Sequence, residues 1–177
     1  MNWRISLFSI GSFGVLSLLV SCGIYSFTGA SISSDIKTIS IQTFYNNAPL
    51  GPSNMSVVFT EKIKDYYQQN TSLTIVDDEG DLQLEGAIVN YTLTPVAPAA
   101  SQGDNQIDFT SLTRLTITVS ATYVNTQDDQ FDFDRNFSFF IDFDQTTQDL
   151  TANEDDFVDE IFDQIVLDIF NSSVANW

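Results

Sequence analysis

Twenty-four Asp and Glu residues stand against six Lys and Arg, with one Cys and no His, in a chain of 177 residues. The acids are the first candidates for chemistry, because two carboxylates flanking a glycosidic bond suffice for its hydrolysis. Most of them, however, fall on outward phases of strands or on the polar face of a helix, where patterning alone places charge. Serine chemistry lacks its base: there is no Gly-x-Ser-x-Gly, and no imidazole to activate a hydroxyl. A single Cys allows neither an internal disulfide nor a thiolate metal cluster. The run Asp128-Asp-Gln-Phe-Asp-Phe-Asp invites a calcium reading, but an EF-hand loop counted from Asp128 needs Gly and Glu where Phe133 and Phe139 stand. What remains is a weak cation site at Asp132 and Asp134 beside the adjoining turn, on carboxylates that leave one strand face with no loop to wrap an ion. No enzyme and no resident cofactor are expected. The formal charge of −18 repels phosphate backbones and anionic lipid surfaces, which sets nucleic acid aside as a partner. With 43% hydrophobic residues and 15 Phe, the acidity overlies enough apolar material for one core.

The cysteine is informative by position. Met-Asn-Trp-Arg opens the chain, an apolar run follows from Ile5 to Val20, and Leu19-Val20-Ser21-Cys22 closes it. A basic start, an apolar stretch and small residues at the cut are the parts of a secretory signal. Leu, a tolerant position and a small residue directly before Cys resemble the bacterial lipobox, with cleavage between Ser21 and Cys22 and a covalent lipid on Cys22. An uncleaved anchor is the competing reading. Sixteen residues at ~1.5 Å each span roughly 24 Å, short of a ~30 Å hydrocarbon core, and serines and glycines dilute the run. Cleavage leaves 156 residues and removes Arg4, which moves the charge from −18 to −19. Acyl chains on Cys22 would tether the domain, each buried methylene contributing about 0.8 kcal/mol.

Residues 1–21 therefore read as signal peptide, residues 22–34 as a lipidated tether without periodicity, and residues 35–177 as a single domain. Ile39 and Ile41 alternate within a strand from Lys37 to Phe44. Val58, Phe59, Ile63, Tyr66 and Tyr67 keep helical spacing from a cap at Ser53 to about Gln69. Leu73 and Ile75 alternate before the acidic turn Asp77-Asp78-Glu79-Gly80. A strand resumes at Leu82 and Leu84, and its apolar phase shifts past Gly86 to Val89, Tyr91 and Leu93, which predicts a bulge. From Pro95 through Pro98 to Asp108 there is a long connection of the kind that is usually functional or mobile.

Two long alternating segments follow. Leu115, Ile117, Val119, Ala121 and Tyr123 interleave with Thr and Ser. Phe131, Phe133, Phe137, Phe139, Ile141 and Phe143 share one face of the next strand, with Asp132, Asp134, Asn136, Ser138, Asp142 and Asp144 on the other. This predicts an antiparallel hairpin with one buried and one wet face. Asn153 then caps a helix whose first turn holds Glu154, Asp155 and Asp156 and whose stripe is Phe157, Val158, Ile161, Phe162, Ile165, Ile169 and Phe170. The order predicts an α+β two-layer sandwich, two helices packed on one face of a mainly antiparallel four- to five-stranded sheet.

Four pieces carry a resemblance: Cys22-Gly-Ile-Tyr-Ser-Phe-Thr-Gly-Ala after the cut, Asp81-Leu-Gln-Leu-Glu-Gly-Ala-Ile, Arg114-Leu-Thr-Ile-Thr-Val, and Ile169-Phe-Asn with Ala175-Asn-Trp. Together they resemble the LPS-assembly lipoprotein family (LptE) in its Bacteroidetes-type form, over essentially the whole mature chain. The resemblance implies an outer-membrane lipoprotein on the periplasmic side that plugs and helps assemble the β-barrel LPS translocon subunit, and two helices on a four-stranded sheet. No acidic run resembling a surface-export signal follows Cys22, in keeping with that side of the membrane. Better-studied relatives are thought to engage LPS through basic residues, and this chain offers only Lys37, Lys62, Lys64, Arg114 and Arg135. Tyr25 and Phe27 on the tether, and the connection holding Pro95, Pro98 and Asp108, are candidate partner contacts. An independent periplasmic lipoprotein, binding a glycan or divalent cation through its acidic strand face, is the alternative.

Overall fold

Leu115, Ile117, Val119, Ala121 and Tyr123 are all buried, and the polar residues between them face the other way. The computed structural model describes residues 32–96 and 112–174. Its elements are β1 (Thr38–Ile41), β2 (Tyr45–Asn46), α1 (Met55–Asn70), β3 (Thr74–Val76), β4 (Leu82–Pro95), β5 (Leu112–Asn125), a 3-10 turn (Asp129–Phe131), β6 (Phe133–Asp144) and α2 (Leu150–Ser173). The six strands form one sheet in the order β3-β1-β4-β5-β6, with β2 beside β4. The β4–β5 and β5–β6 ladders are antiparallel, whereas β1 pairs in parallel with both β3 and β4. Both helices pack on one face, so the α+β two-layer architecture stands, on a mixed sheet with more strands than the alternation alone marks.

The first predicted strand is divided, and the helix beside it explains why. Phe44, fully buried, takes its backbone partners from α1: its N–H donates to Thr60 Oγ1 at 3.0 Å, and its carbonyl accepts from Ser56 Oγ at 2.7 Å. Buried backbone groups need partners, and side-chain hydroxyls can supply them in place of a ladder. The Phe44 ring then lies against Gly86 of β4. A Cβ there would stand 2.5 Å from Phe44 Cε1 and collide with the carbonyl oxygen of Ser120. Gly86 is thus a close-approach position, and the bulge falls later: Ile88 pairs with Val119 and Asn90 with Thr118, leaving Val89 as the extra residue. Ile88 is buried and Val89 is 37% exposed, which corrects the predicted apolar phase at Val89.

Phe44, Phe59 and Phe162 form a chain of edge-to-face rings across loop, α1 and α2, with centroids 5.0 and 4.9 Å apart. Such pairs add about 0.5–1.5 kcal/mol each to the burial of their area. The predicted stripe of α2 is buried at every position, together with Val166. Tyr67 of α1 and Ser173 of α2 share a buried hydrogen bond, and Lys62 reaches Asp159 at 2.9 Å and Asp163 at 2.6 Å.

Three further boundaries differ from expectation. Asn153 is not a cap, because α2 begins a turn earlier at Asp149, whose carboxylate accepts from Thr151 N at 3.2 Å. The acidic run is thereby moved inward, and Glu154 accepts from Tyr91 OH at 2.6 Å. Ser53 does not cap α1 either; Asn54 precedes the helix and makes no side-chain cap bond. Phe131 belongs to the turn before β6 and is 41% exposed, while Phe137 and Phe143 take the buried positions.

Candidate functional site: the open face of the sheet

The face of the sheet away from the helices is lined from β5 by Thr116, Thr118, Ser120 and Thr122, each opposite a polar or aromatic residue of β6. Thr118 and Ser138 hydrogen-bond across the ladder at 3.0 Å, and Ser138 also donates to the Ile117 carbonyl at 3.1 Å. On β4, Thr92 donates to Asn90 Oδ1 at 2.7 Å. Period-two alternation puts all of these on one side, as the sequence predicts.

One apolar ring interrupts the array. Phe140, 43% exposed, sits opposite Thr116, and the Arg114 guanidinium lies 3.6 Å from its centroid. Arg114 also holds Asp142 with two bonds, Nε to Oδ1 at 2.6 Å and Nη2 to Oδ2 at 2.7 Å. That bidentate contact holds the Asp142 carboxyl below the usual carboxylate range. Arg135 is similarly committed: it bonds Ser172 and stacks on Phe133 and Phe137. With Lys62 between two carboxylates, three of the five Lys and Arg residues among the described residues are engaged in holding the domain together.

The acidic hairpin end is organised by its own backbone. Asn125 N donates to Asp132 Oδ1 at 2.7 Å, and Gln130 N to Asp128 Oδ1 at 3.1 Å. Asp132 thus closes the turn, while Asp134 stands exposed on β6 opposite Thr122. The structure does not join them into a cation site, and among the described residues no group of three or more His, Cys, Asp and Glu is placed to hold a metal ion. Pro95 ends β4 and is exposed. Ser21, Cys22, Tyr25, Phe27, Pro98 and Asp108 lie outside the described residues. No helix among the described residues is long and apolar enough to cross a membrane.

At the β1 end of this face is a concavity that the sequence reading missed, of about 490 Å³, built by β1, β4, β5 and the turn Asp77–Gly80. Ser40 lies at its floor between Ile39 and Ile41, which point into the core. A lone Ser between two buried Ile residues marks an outward position. Its near-complete burial comes from the turn folding over it, which no local pattern encodes.

Fold and face together define a small α+β domain that presents a broad polar sheet surface, backed by one apolar core. The chain belongs to the LptE family, described as lipopolysaccharide-assembly, whose model matches residues 36–173. No curated protein matches it significantly. Among solved structures, the hypothetical protein CT253 from Chlamydia trachomatis superposes with a TM-score of 0.50 at 11% identity, over 80% of this chain and 99% of that one. Rare lipoprotein B from Shewanella oneidensis gives a TM-score of 0.44 at 10% identity, over 76% and 90% of the two chains. A minor lipoprotein from Acinetobacter baumannii gives 0.43 at 16% identity, over 76% and 93%.

Proposed function

We propose that this protein is anchored by a lipid on Cys22 at the periplasmic side of the outer membrane. There it serves as plug and assembly subunit of a β-barrel LPS translocon, supporting LPS insertion into the outer leaflet. The family match over residues 36–173, nearly the whole described domain, carries this reading. The open sheet face supports it: an array of Thr, Ser and Asn with the exposed rings of Tyr45 and Phe140 suits the polar, water-rich lumen of a large barrel better than a lipid or apolar surface. Three of the five cations of the mature chain are committed within the domain, so the plug role is favoured over direct handling of phosphorylated LPS.

The test is to purify the tagged, full-length lipoprotein from detergent-solubilised outer membrane and identify what accompanies it. A large β-barrel protein in near-equal amount is expected. Recovery of the lipoprotein alone, under conditions that preserve other barrel complexes, would overturn the proposal.

A further inference from the structure

The sheet ends very differently on its two sides. One side closes with β3, 3 residues long, and the other with β6, 12 residues long. An exposed strand edge is a row of unpaired N–H and C=O groups, which proteins usually blunt with a bulge, a proline or a very short strand. β6 has none of these: its register with β5 runs unbroken from Phe133 to Asp144, and the strand contains no proline.

The parity of the ladders fixes which backbone groups face outward. Thr126 N donates to the Asp81 carbonyl at 3.0 Å at one end of the β4–β5 ladder, and Val96 N to the Leu112 carbonyl at 2.8 Å at the other, so the even-numbered residues of β5 bond to β4. Its odd-numbered residues bond to β6, where they meet the odd-numbered partners from Phe133 to Phe143. The backbone N–H and C=O groups of Asp134, Asn136, Ser138, Phe140 and Asp142 therefore point away from the sheet, and they have no partner among the described residues. All of these residues are exposed. The edge closes only at Asp144, whose carbonyl accepts from Thr147 N at 3.1 Å and Gln148 N at 2.8 Å. At ~3.4 Å per residue, the free edge from Asp134 to Asp142 runs roughly 27 Å.

The two sides of this edge offer different side chains. Toward the helices, Phe139 and Ile141 are half-buried, and a groove of about 340 Å³ between β6 and the last turns of α2 is lined by Arg135, Asn136, Phe137, Asp168, Asn171 and Ser172. On the open side stand Asp134 and Asp142, in a chain of net charge −18, and Asp134 has no ion pair among the described residues. We infer that the free edge of β6 docks an extended segment of a partner protein as an added strand, with apolar side chains toward α2 and Lys or Arg on the open side. Main-chain hydrogen bonds supply the affinity of such a contact, and the alternating side chains its selectivity. A second copy of this chain fits poorly. Antiparallel β6 centred on itself at Ser138 sets Asp134 opposite Asp142 twice, and centred at Phe139 it sets Asp134 opposite Asp144 twice, where like charges are destabilising. The edge belongs to the domain itself, so the inference does not rest on the translocon reading.

The test is amide exchange, read by NMR on isotope-labelled full-length protein in neutral detergent at physiological salt. The probe is a peptide of about ten residues that alternates Val with Lys and Thr. Exchange at Asn136, Ser138 and Phe140 is expected to be fast in the free protein and to slow about tenfold or more when the peptide saturates. Two further peptides carry N-methyl groups at alternate positions, one on each edge of the strand, and keep every side chain and charge. One is expected to bind about tenfold more weakly and the other as the unmodified peptide does, because only one edge faces β6. Asn136→Pro removes an outward N–H without touching the bonds to β5 and is expected to weaken binding about tenfold, whereas Asn136→Thr, which keeps that N–H, should stay within about twofold. The methylated pair carries the test if the proline variant does not fold. Equal binding by all three peptides would reduce the effect to attraction between a basic peptide and an acidic protein and overturn the inference. So would protection centred on β3, or slow exchange at these amides in the free protein, which would mean that this chain or a second copy already fills the edge.

Discussion

Asp81 shows how one carboxylate fixes a strand junction. One oxygen accepts from Lys37 N at 2.9 Å, Thr38 N at 3.0 Å and Thr38 Oγ1 at 2.9 Å, while Asp81 N donates back to Thr38 Oγ1 at 2.9 Å. The Lys37 amide foremost, then the Thr38 hydroxyl and amide, hold its carboxyl below the usual carboxylate range. A carboxyl depressed in the folded state stabilises the fold above its unfolded pKa of about 4, and that contribution is lost as pH falls through the folded value. Asp81→Asn is therefore expected to destabilise the domain at pH 7 and to flatten the fall in stability between pH 5 and pH 3. Urea midpoints at three pH values check this. Gly86→Val tests close approach: with Phe44 and Ser120 where a Cβ must go, a cost of about 1–3 kcal/mol or more is expected, read as a lowered unfolding midpoint.

At the scale of elements, the helices are held by rings, with ion pairs secondary. Phe162 is fully buried against Phe59, so Phe162→Ala should cost about 3–5 kcal/mol. Lys62→Met should cost less than about 1 kcal/mol, because its carboxylate partners Asp159 and Asp163 are more than half exposed. Urea unfolding of both variants decides between apolar docking and electrostatic pinning. The same contrast explains what the sequence reveals of the fold. The β5–β6 hairpin and the stripe of α2 are legible because their periods run for more than ten residues and each residue's face follows from its parity. The break between β1 and β2 and the bulge at Val89 are not, since each depends on a distant partner: Thr60 and Ser56 for Phe44, the β5 register for Val89. At Asp149 two capping candidates four residues apart compete, and local pattern does not rank them. The hydroxyl array of the candidate site was legible for the same reason as the hairpin. The concavity beside Ser40 was not, because the turn that closes it lies beyond β2, α1 and β3 in the chain.

For the molecule as a whole, charge decides how LPS can be met. The chain carries −18, and Lys62, Arg114 and Arg135 are engaged with Asp159 and Asp163, with Asp142 and Phe140, and with Ser172, Phe133 and Phe137. Of the five Lys and Arg among the described residues, only Lys37 and Lys64 have no ion pair or ring contact of this kind, and they stand in an acidic field. Bringing a phosphorylated lipid to such a surface places like charges together, which is unfavourable unless counter-ions intervene. Divalent cations are the natural bridge, since one ion can face a carboxylate on one side and a phosphate on the other. Binding of purified LPS to the full-length lipoprotein is therefore expected only with millimolar Mg²⁺ and is expected to vanish on chelation. Replacing both Lys37 and Lys64 by Gln should weaken it less than twofold. Surface plasmon resonance with and without EDTA reads both. Tight binding that survives chelation would show that the protein meets LPS by a route other than phosphate charge, and would replace the proposed role of filling a barrel with one of carrying the lipid itself.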